Sequence, residues 1–209
     1  MATGTARFKL DEEIFFAGRP MRVAGWVQYE GANAELSTRY LLAEADAAPL
    51  ILEENGGNFA LLRPFAPGAQ PQATGRMIRV MNEKYTLRGV RKLKVLGTAG
   101  QPPGGMPKSQ LLVSGLFAGR TGSLLRELPA GASAQIFFFS KPLDAGDVLS
   151  GEQFAARRQV ERLAAEATAL AKDDGEDAAG GKSAQIAALC IAALFVLLGL
   201  AYAFLRHAD

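Results

Sequence analysis

The chain has 209 residues, a net charge of +2 and a hydrophobic fraction of 49%. Its one histidine, His207, and one cysteine, Cys190, lie near the C-terminus. The body therefore lacks the residues for a histidine-bound zinc site, a Ser-His-Asp triad, a Cys-His pair or an internal disulfide. The small net charge gives no drive toward nucleic acid, no cofactor is expected, and the chain is read as non-enzymatic.

Residues 1–13 read as a short lead without an apolar pattern. They carry no apolar core of a secretory signal, so the body is expected on the cytoplasmic side. From Ile14 onward short extended segments alternate with turns. Met21, Val23, Val27 and Tyr29 alternate with polar or small neighbours, a strand pattern that Gly25 interrupts as a bulge would. Gly31 to Asn33 is a turn, and Asn55-Gly56-Gly57-Asn58 is a hairpin turn between Leu50-Ile-Leu and Phe59-Ala-Leu-Leu. Pro64 to Thr74 reads as a connector, and Ala99 to Lys108 as a loop.

The second half repeats the grammar of the first. Asn82 to Gly89 lies against Gly18 to Gly25, Leu111-Leu-Val against Tyr40-Leu-Leu, Leu124 to Glu127 against Leu50 to Glu53, and Ile136 to Phe139 against Phe59 to Leu62. This ordering points to an internal duplication. Phe15, Phe16, Trp26, Tyr29 and Phe137 to Phe139 are expected in the β core. Phe138 should face the opposite side from Phe137 and Phe139, under the helix that follows, with a partner surface as the alternative.

At Ser150 the period changes. Ser150 and Gln153 form a capping box, and Ala156, Val160, Leu163, Ala167 and Leu170 make a stripe spaced four, three, four, three. The stripe is expected to pack on the β body, with a self-association seam as the alternative. Residues 173–183 are acidic and glycine-containing, and read as a flexible linker.

The run from Ile186 to Leu205 holds twenty residues without a charge. As a helix it would cover about 30 Å, the hydrocarbon thickness of a bilayer. Ile186, Leu189, Leu194, Phe195, Leu197 and Leu198 would face lipid, Tyr202 suits the interfacial belt, and Arg206 can reach the headgroups. Ala188 with Ala192 and Gly199 with Ala203 are small-residue pairs that permit close helix packing.

The other charge feature lies in the second half. From Arg76 to Lys94 the sequence holds Arg76, Arg79, Lys84, Arg88, Arg91, Lys92 and Lys94 against Glu83 alone. In a strand Lys92 and Lys94 share one face and Leu93 and Val95 the other. Such a face could meet anionic lipid or an acidic partner.

The fold expected is mainly β. Two tandem small antiparallel barrels or curled sheets, residues 14–66 and 75–147, precede an amphipathic helix over 150–172, the linker at 173–183 and a single C-terminal transmembrane helix over 184–205. The paired pattern of Gly18, Met21, Val23 and Gly25, Tyr40-Leu-Leu and Phe59-Ala-Leu-Leu, then Asn82, Tyr85, Gly89 and Ile136 to Phe139, resembles the bacterial domain-of-unknown-function family 4178. The resemblance spans residues 14–147 and departs from the family at Pro49-Leu50, where a tryptophan is usual. It implies small β domains near membranes and supplies no catalytic residues. The function expected is a tail-anchored adaptor whose body binds a membrane protein, or a second copy of itself. The alternative is a membrane-anchored module that binds a ligand or anionic lipid through the basic face.

Overall fold

The computed structural model describes residues 6–44, 48–66, 71–101, 111–131 and 135–177. It divides into two units, Met1–Gly151 and Glu152–Asp209. Within the first unit one continuous antiparallel meander runs through β1 (Glu13–Phe16), β2 (Arg19–Glu30), β3 (Leu36–Ala43), β4 (Leu50–Asn55) and β5 (Asn58–Pro64). A second runs through β6 (Gln72–Thr74), β7 (Met77–Val80), β8 (Glu83–Gly100), β9 (Leu111–Ala118), β10 (Ser123–Pro129) and β11 (Ile136–Leu143). β12 (Val148–Ser150) returns to pair with β1.

Turn chemistry sets the hairpins. Gly56 and Gly57 both hold positive φ, 55° and 79°, as a two-residue hairpin loop with the right twist requires. Gly25 and Gly89 each sit where the register slips, between Val23 and Gly25 and between Leu87 and Gly89. At these bulges β2 and β8 change direction and leave one sheet layer for another.

The two halves do not close separately. The four barrel strands of each half, β2–β5 and β8–β11, leave two open edges, and the halves satisfy them together: β5 pairs with β11 and β2 with β8. The result is one closed eight-stranded barrel, β2-β3-β4-β5-β11-β10-β9-β8, where two tandem barrels were expected. Hairpin β1–β2 with β12, and ribbon β6–β7 with the start of β8, extend outside it.

The halves match strand for strand. Counting from the bulge glycines, Arg39 stands where Ser114 stands, Leu50 to Glu53 where Leu124 to Glu127 stand, and Leu62 where Phe138 stands. The closing seam has the same symmetry, since Leu62 pairs with Ser140 and Phe138 with Pro64. Two of the expected correspondences hold in register, Gly18 to Gly25 and Leu50 to Glu53. Phe59 to Leu62 is displaced by one residue, and Tyr40-Leu-Leu aligns with Gly115 to Phe117 rather than with Leu111 to Val113.

Alternation gives the barrel an inner and an outer core. Inside lie Leu41, Ile51, Leu62, Leu125 and Phe138, with Val27, Tyr29, Leu93 and Leu112 in an adjoining cluster. Outside the first half, Tyr40, Leu42, Leu52 and Phe59 pack with Ile14, Met21 and Phe8. Outside the second half, Phe117, Leu124 and Phe137 pack beneath Ile78 and Tyr85, with Phe139 partly buried. Phe138 does face opposite to its neighbours, but it fills the barrel, and β7–β8 covers Phe137 and Phe139. The lead is part of the fold: Phe8 is 1% exposed and meets Tyr40 edge-on at 5.2 Å. Trp26, Phe15 and Phe16 are half-buried and Tyr29 is buried.

β8 carries the expected loop's Ala99 and Gly100, residues 102–110 lie outside the described ones, and Gln72–Thr74 of the expected connector form β6. The helix α1 (Gly151–Asp177) starts directly after Ser150 and runs five residues past Lys172, into the expected linker. Once a helix is nucleated each further residue adds a hydrogen bond, which outweighs the weak propensity of Asp173 and Asp174. Arg157–Glu161 and Arg162–Glu166 are ion pairs one turn apart on α1. Ala156 is exposed, Leu163 is 40% exposed and Val160 is half-buried, so the stripe is not buried along its length. Among the described residues no helix is long and apolar enough to cross a membrane. The run Ile186–Leu205 lies outside them.

Candidate functional site

The most concentrated chemistry in the molecule is inside the barrel. Arg39 on β3 points inward and is fully buried, as is Glu127 on β10. The guanidinium donates to the carboxylate through both terminal nitrogens, Nη1 at 2.8 Å and Nη2 closer still, a fork-to-fork pair. Nη2 also lies 3.6 Å from Glu53 on β4, and Arg91 on β8 reaches the other oxygen of Glu53 at 3.4 Å. Ser37 donates to Glu53 at 3.0 Å. Each half of the chain thus contributes one arginine and one glutamate, and the two glutamates occupy matching positions.

Aromatic rings close the cluster. The Arg39 guanidinium stands 5.3 Å from the Tyr29 ring centre and 5.8 Å from that of Phe138. Burial alone would lower the arginine's pKa, but Glu127 and then Glu53 outweigh it and hold it raised. Burial pushes the Tyr29 hydroxyl up to about 12. At the position matching Arg39, the Ser114 hydroxyl is buried without a hydrogen-bond partner among the described residues.

This cluster holds the barrel together. Its charges balance, each carboxylate is gripped by a guanidinium, and an arginine stays charged at any working pH. It spans β3, β4, β8 and β10, so it is satisfied only when both halves close on each other. Sequence reasoning missed Arg39, Glu53 and Glu127. The signal was present: a glutamate at the same place in Leu50–Glu53 and Leu124–Glu127, and one arginine inside an apolar strand.

Two smaller ties fix the periphery. Tyr40 donates to Glu54 at 2.9 Å and accepts from the Arg7 amide at 3.0 Å, securing the lead, and burial followed by Glu54 raises its pKa. Hydrogen bonds from Thr121 hold Glu83 below the usual carboxylate range and staple the β9–β10 turn to the start of β8.

The basic residues read from the sequence do not form one face. Arg91 turns inward to Glu53, because it shares the inner face with Leu93. Arg79 and Lys84 stand opposite each other on the β7–β8 ribbon, with Arg76 just before it, and Arg88 flanks the bulge. Lys92 and Lys94 do share an exposed outward face on the barrel wall, while Leu93 is buried and Val95 half-buried on the other. The anchor residues Ile186, Leu189, Leu194, Phe195, Leu197, Leu198, Tyr202 and Arg206, and the small residues Ala188, Ala192, Gly199 and Ala203, lie outside the described residues. A scan of family models, a search of characterised proteins and a search of solved structures each gave no match.

Proposed function

We propose that the chain is a membrane-tethered accessory protein that acts by binding a partner protein. The charge-free run Ile186–Leu205 is the tether, and the barrel with α1 is displayed on the cytoplasmic side. Tethering raises the local concentration of the body toward anything in the same membrane. The resemblance to the domain-of-unknown-function family 4178 agrees with that placement and adds no site.

The observation that carries the binding role is the exposed Leu163 on α1. Val160 and Leu163 continue in the sequence as Ala167 and Leu170, the one-face spacing by which a helix seats in a groove or against another helix. Leu163 is 40% exposed although it is a large apolar residue. The occupied barrel interior supports the same reading, because its middle holds its own ion cluster and rings.

The test is a mild-detergent purification of the full chain with its native tail. A membrane protein should co-purify in fixed stoichiometry and be lost on Leu163→Glu, with Trp26 fluorescence unchanged. Co-purification indifferent to Leu163→Glu would remove α1 from the account, and a monomer with no companion would remove the adaptor role.

A further inference from the structure

On the outward face of β8, β9 and β10, the end away from the buried Phe117 and Leu124 is exposed. On β8 it presents Val90, Lys92 and Lys94. Their registered neighbours continue it: Lys94 stands beside Leu111, Lys92 beside Val113, and Val113 beside Leu128. Val90 is 56% exposed, Leu111 41% and Leu128 38%, unusually high for large apolar residues in adjacent strands of one sheet.

On β8, β9 and β10 the charges of this face are all positive. Between the lysines and the covered Phe117 and Leu124 stand Gly115 and Arg126, the latter lying over the Phe117 ring at 5.1 Å, and the carboxylate that borders the face is Glu30 on β2, registered with Lys94. Among the described residues neither Lys92 nor Lys94 takes part in an ion pair. The matching face of the first half is different. Gln28 and Glu30 replace the two lysines, Glu54 replaces Leu128, and Tyr40 and Leu52 at the positions of Gly115 and Arg126 are buried in the cluster that holds Phe8.

We propose that the β8–β9–β10 face docks on anionic lipid headgroups. Lysines interleaved with Val and Leu on a flat, twisted sheet can engage phosphates while the apolar side chains enter the interface. A protein partner with carboxylates could satisfy the lysines too, but the sequence places a bilayer within reach of this surface. Between the barrel and the apolar run stand α1, about 40 Å long, and a short stretch after Asp177, a tether that lets this surface reach the headgroups. Docking would fix which way the tethered body faces. The inference rests on the tethered reading for that proximity alone, and the lysine dependence can be tested apart from it.

The experiment uses the full chain with Cys190→Ser and a nitroxide at Leu128→Cys, reconstituted in vesicles of phosphatidylcholine with or without one-third phosphatidylglycerol. A second label at Arg63→Cys, on the outer side of β5, is the control. Collisions with a headgroup-attached paramagnetic ion should rise at 128 and not at 63, only with phosphatidylglycerol. K92E with K94E should lower the headgroup-proximal population about tenfold or more, each lysine near a charged surface contributing about fivefold. Unchanged Trp26 fluorescence confirms the fold of the variant. Equal accessibility at 128 with and without phosphatidylglycerol, or proximity that survives the double reversal, would overturn the proposal. So would protection of 128 by a co-purifying protein in neutral vesicles. If the chain stays out of vesicles, the tether fails instead; flotation of that free chain on phosphatidylglycerol vesicles then decides, lysine-dependent flotation supporting the docking face and its absence overturning it.

Discussion

Replacing Glu127 by glutamine tests what the buried cluster contributes. The change keeps size and shape and removes one charge from a carboxylate that is wholly buried and gripped by both terminal nitrogens of Arg39. The amide oxygen retains one hydrogen bond, its NH2 group faces a guanidinium donor, and Arg39 keeps only Glu53 at 3.6 Å. Breaking one side of a buried pair costs about 3–5 kcal/mol. The residual contact with Glu53 puts Glu127→Gln near the lower end, about 3 kcal/mol, or a fall in Tm of roughly 10 °C for a domain of this size. Glu53→Gln should cost only about 1–2 kcal/mol, because its contacts are longer and Arg91 is half-exposed. Arg39→Met combined with Glu127→Met removes both charges and should be better tolerated than Glu127→Gln alone. The assay is thermal and urea unfolding of the full chain in mild detergent, followed by the fluorescence of Trp26, the one tryptophan. Equal costs for Glu127→Gln and Glu53→Gln, or a loss at Glu127 under about 1 kcal/mol, would refute the reasoning.

The two bulge glycines should respond differently to alanine. A Cβ at Gly25 would land on the backbone carbonyl of Gln101, whereas at Gly89 it meets nothing within 4 Å. Gly25→Ala should therefore cost about 3 kcal/mol or more and Gly89→Ala less than about 1, read as shifts in urea midpoint. Phe8→Ala should cost about 3–4 kcal/mol by emptying the outer core of the first half, so the lead cannot be trimmed without loss. Tyr29 links stability to alkaline pH. Its folded pKa of about 12 lies above the ordinary 10, so its contribution is full below pH 10 and is lost as pH rises to 12. Tyr29 should account for about 2–3 kcal/mol of the loss across that window, and Tyr29→Phe should remove that share while the share of Tyr40, whose hydroxyl is also raised, remains.

Much of the fold was legible because it depends on local rules. Gly56-Gly57 specifies a hairpin wherever it stands, Gly25 marks its bulge by breaking an alternation, and Ser150 marks a helix start. The duplication was legible where core spacing is tight, at Gly18–Gly25 and Leu50–Glu53, and it slipped by one where any run of apolar residues fits. Closure was not legible, because whether each half seals on itself or on the other is decided by long-range edge pairing. The residue that could have decided it, Arg39, looks like an ordinary strand residue until Glu53 and Glu127 are seen as its partners. Arg91 was misplaced for a related reason. Period-2 alternation puts it with Leu93 on the inner face, and a charge there makes sense only beside Glu53. Phe8 carried too little pattern around it to be read as core, since its neighbours Arg7 and Lys9 are exposed and its ring partners, Tyr40 and Phe59, lie more than thirty residues away.

The tether is the premise on which the adaptor role stands, and flotation of the full chain tests it most directly. After alkaline and high-salt washing, the protein should rise with the vesicles, and a chain with charges placed in Ile186–Leu205, such as Leu194→Lys with Leu198→Lys, should not. A full-length protein that remains in the soluble fraction as a monomer without detergent would contradict the account.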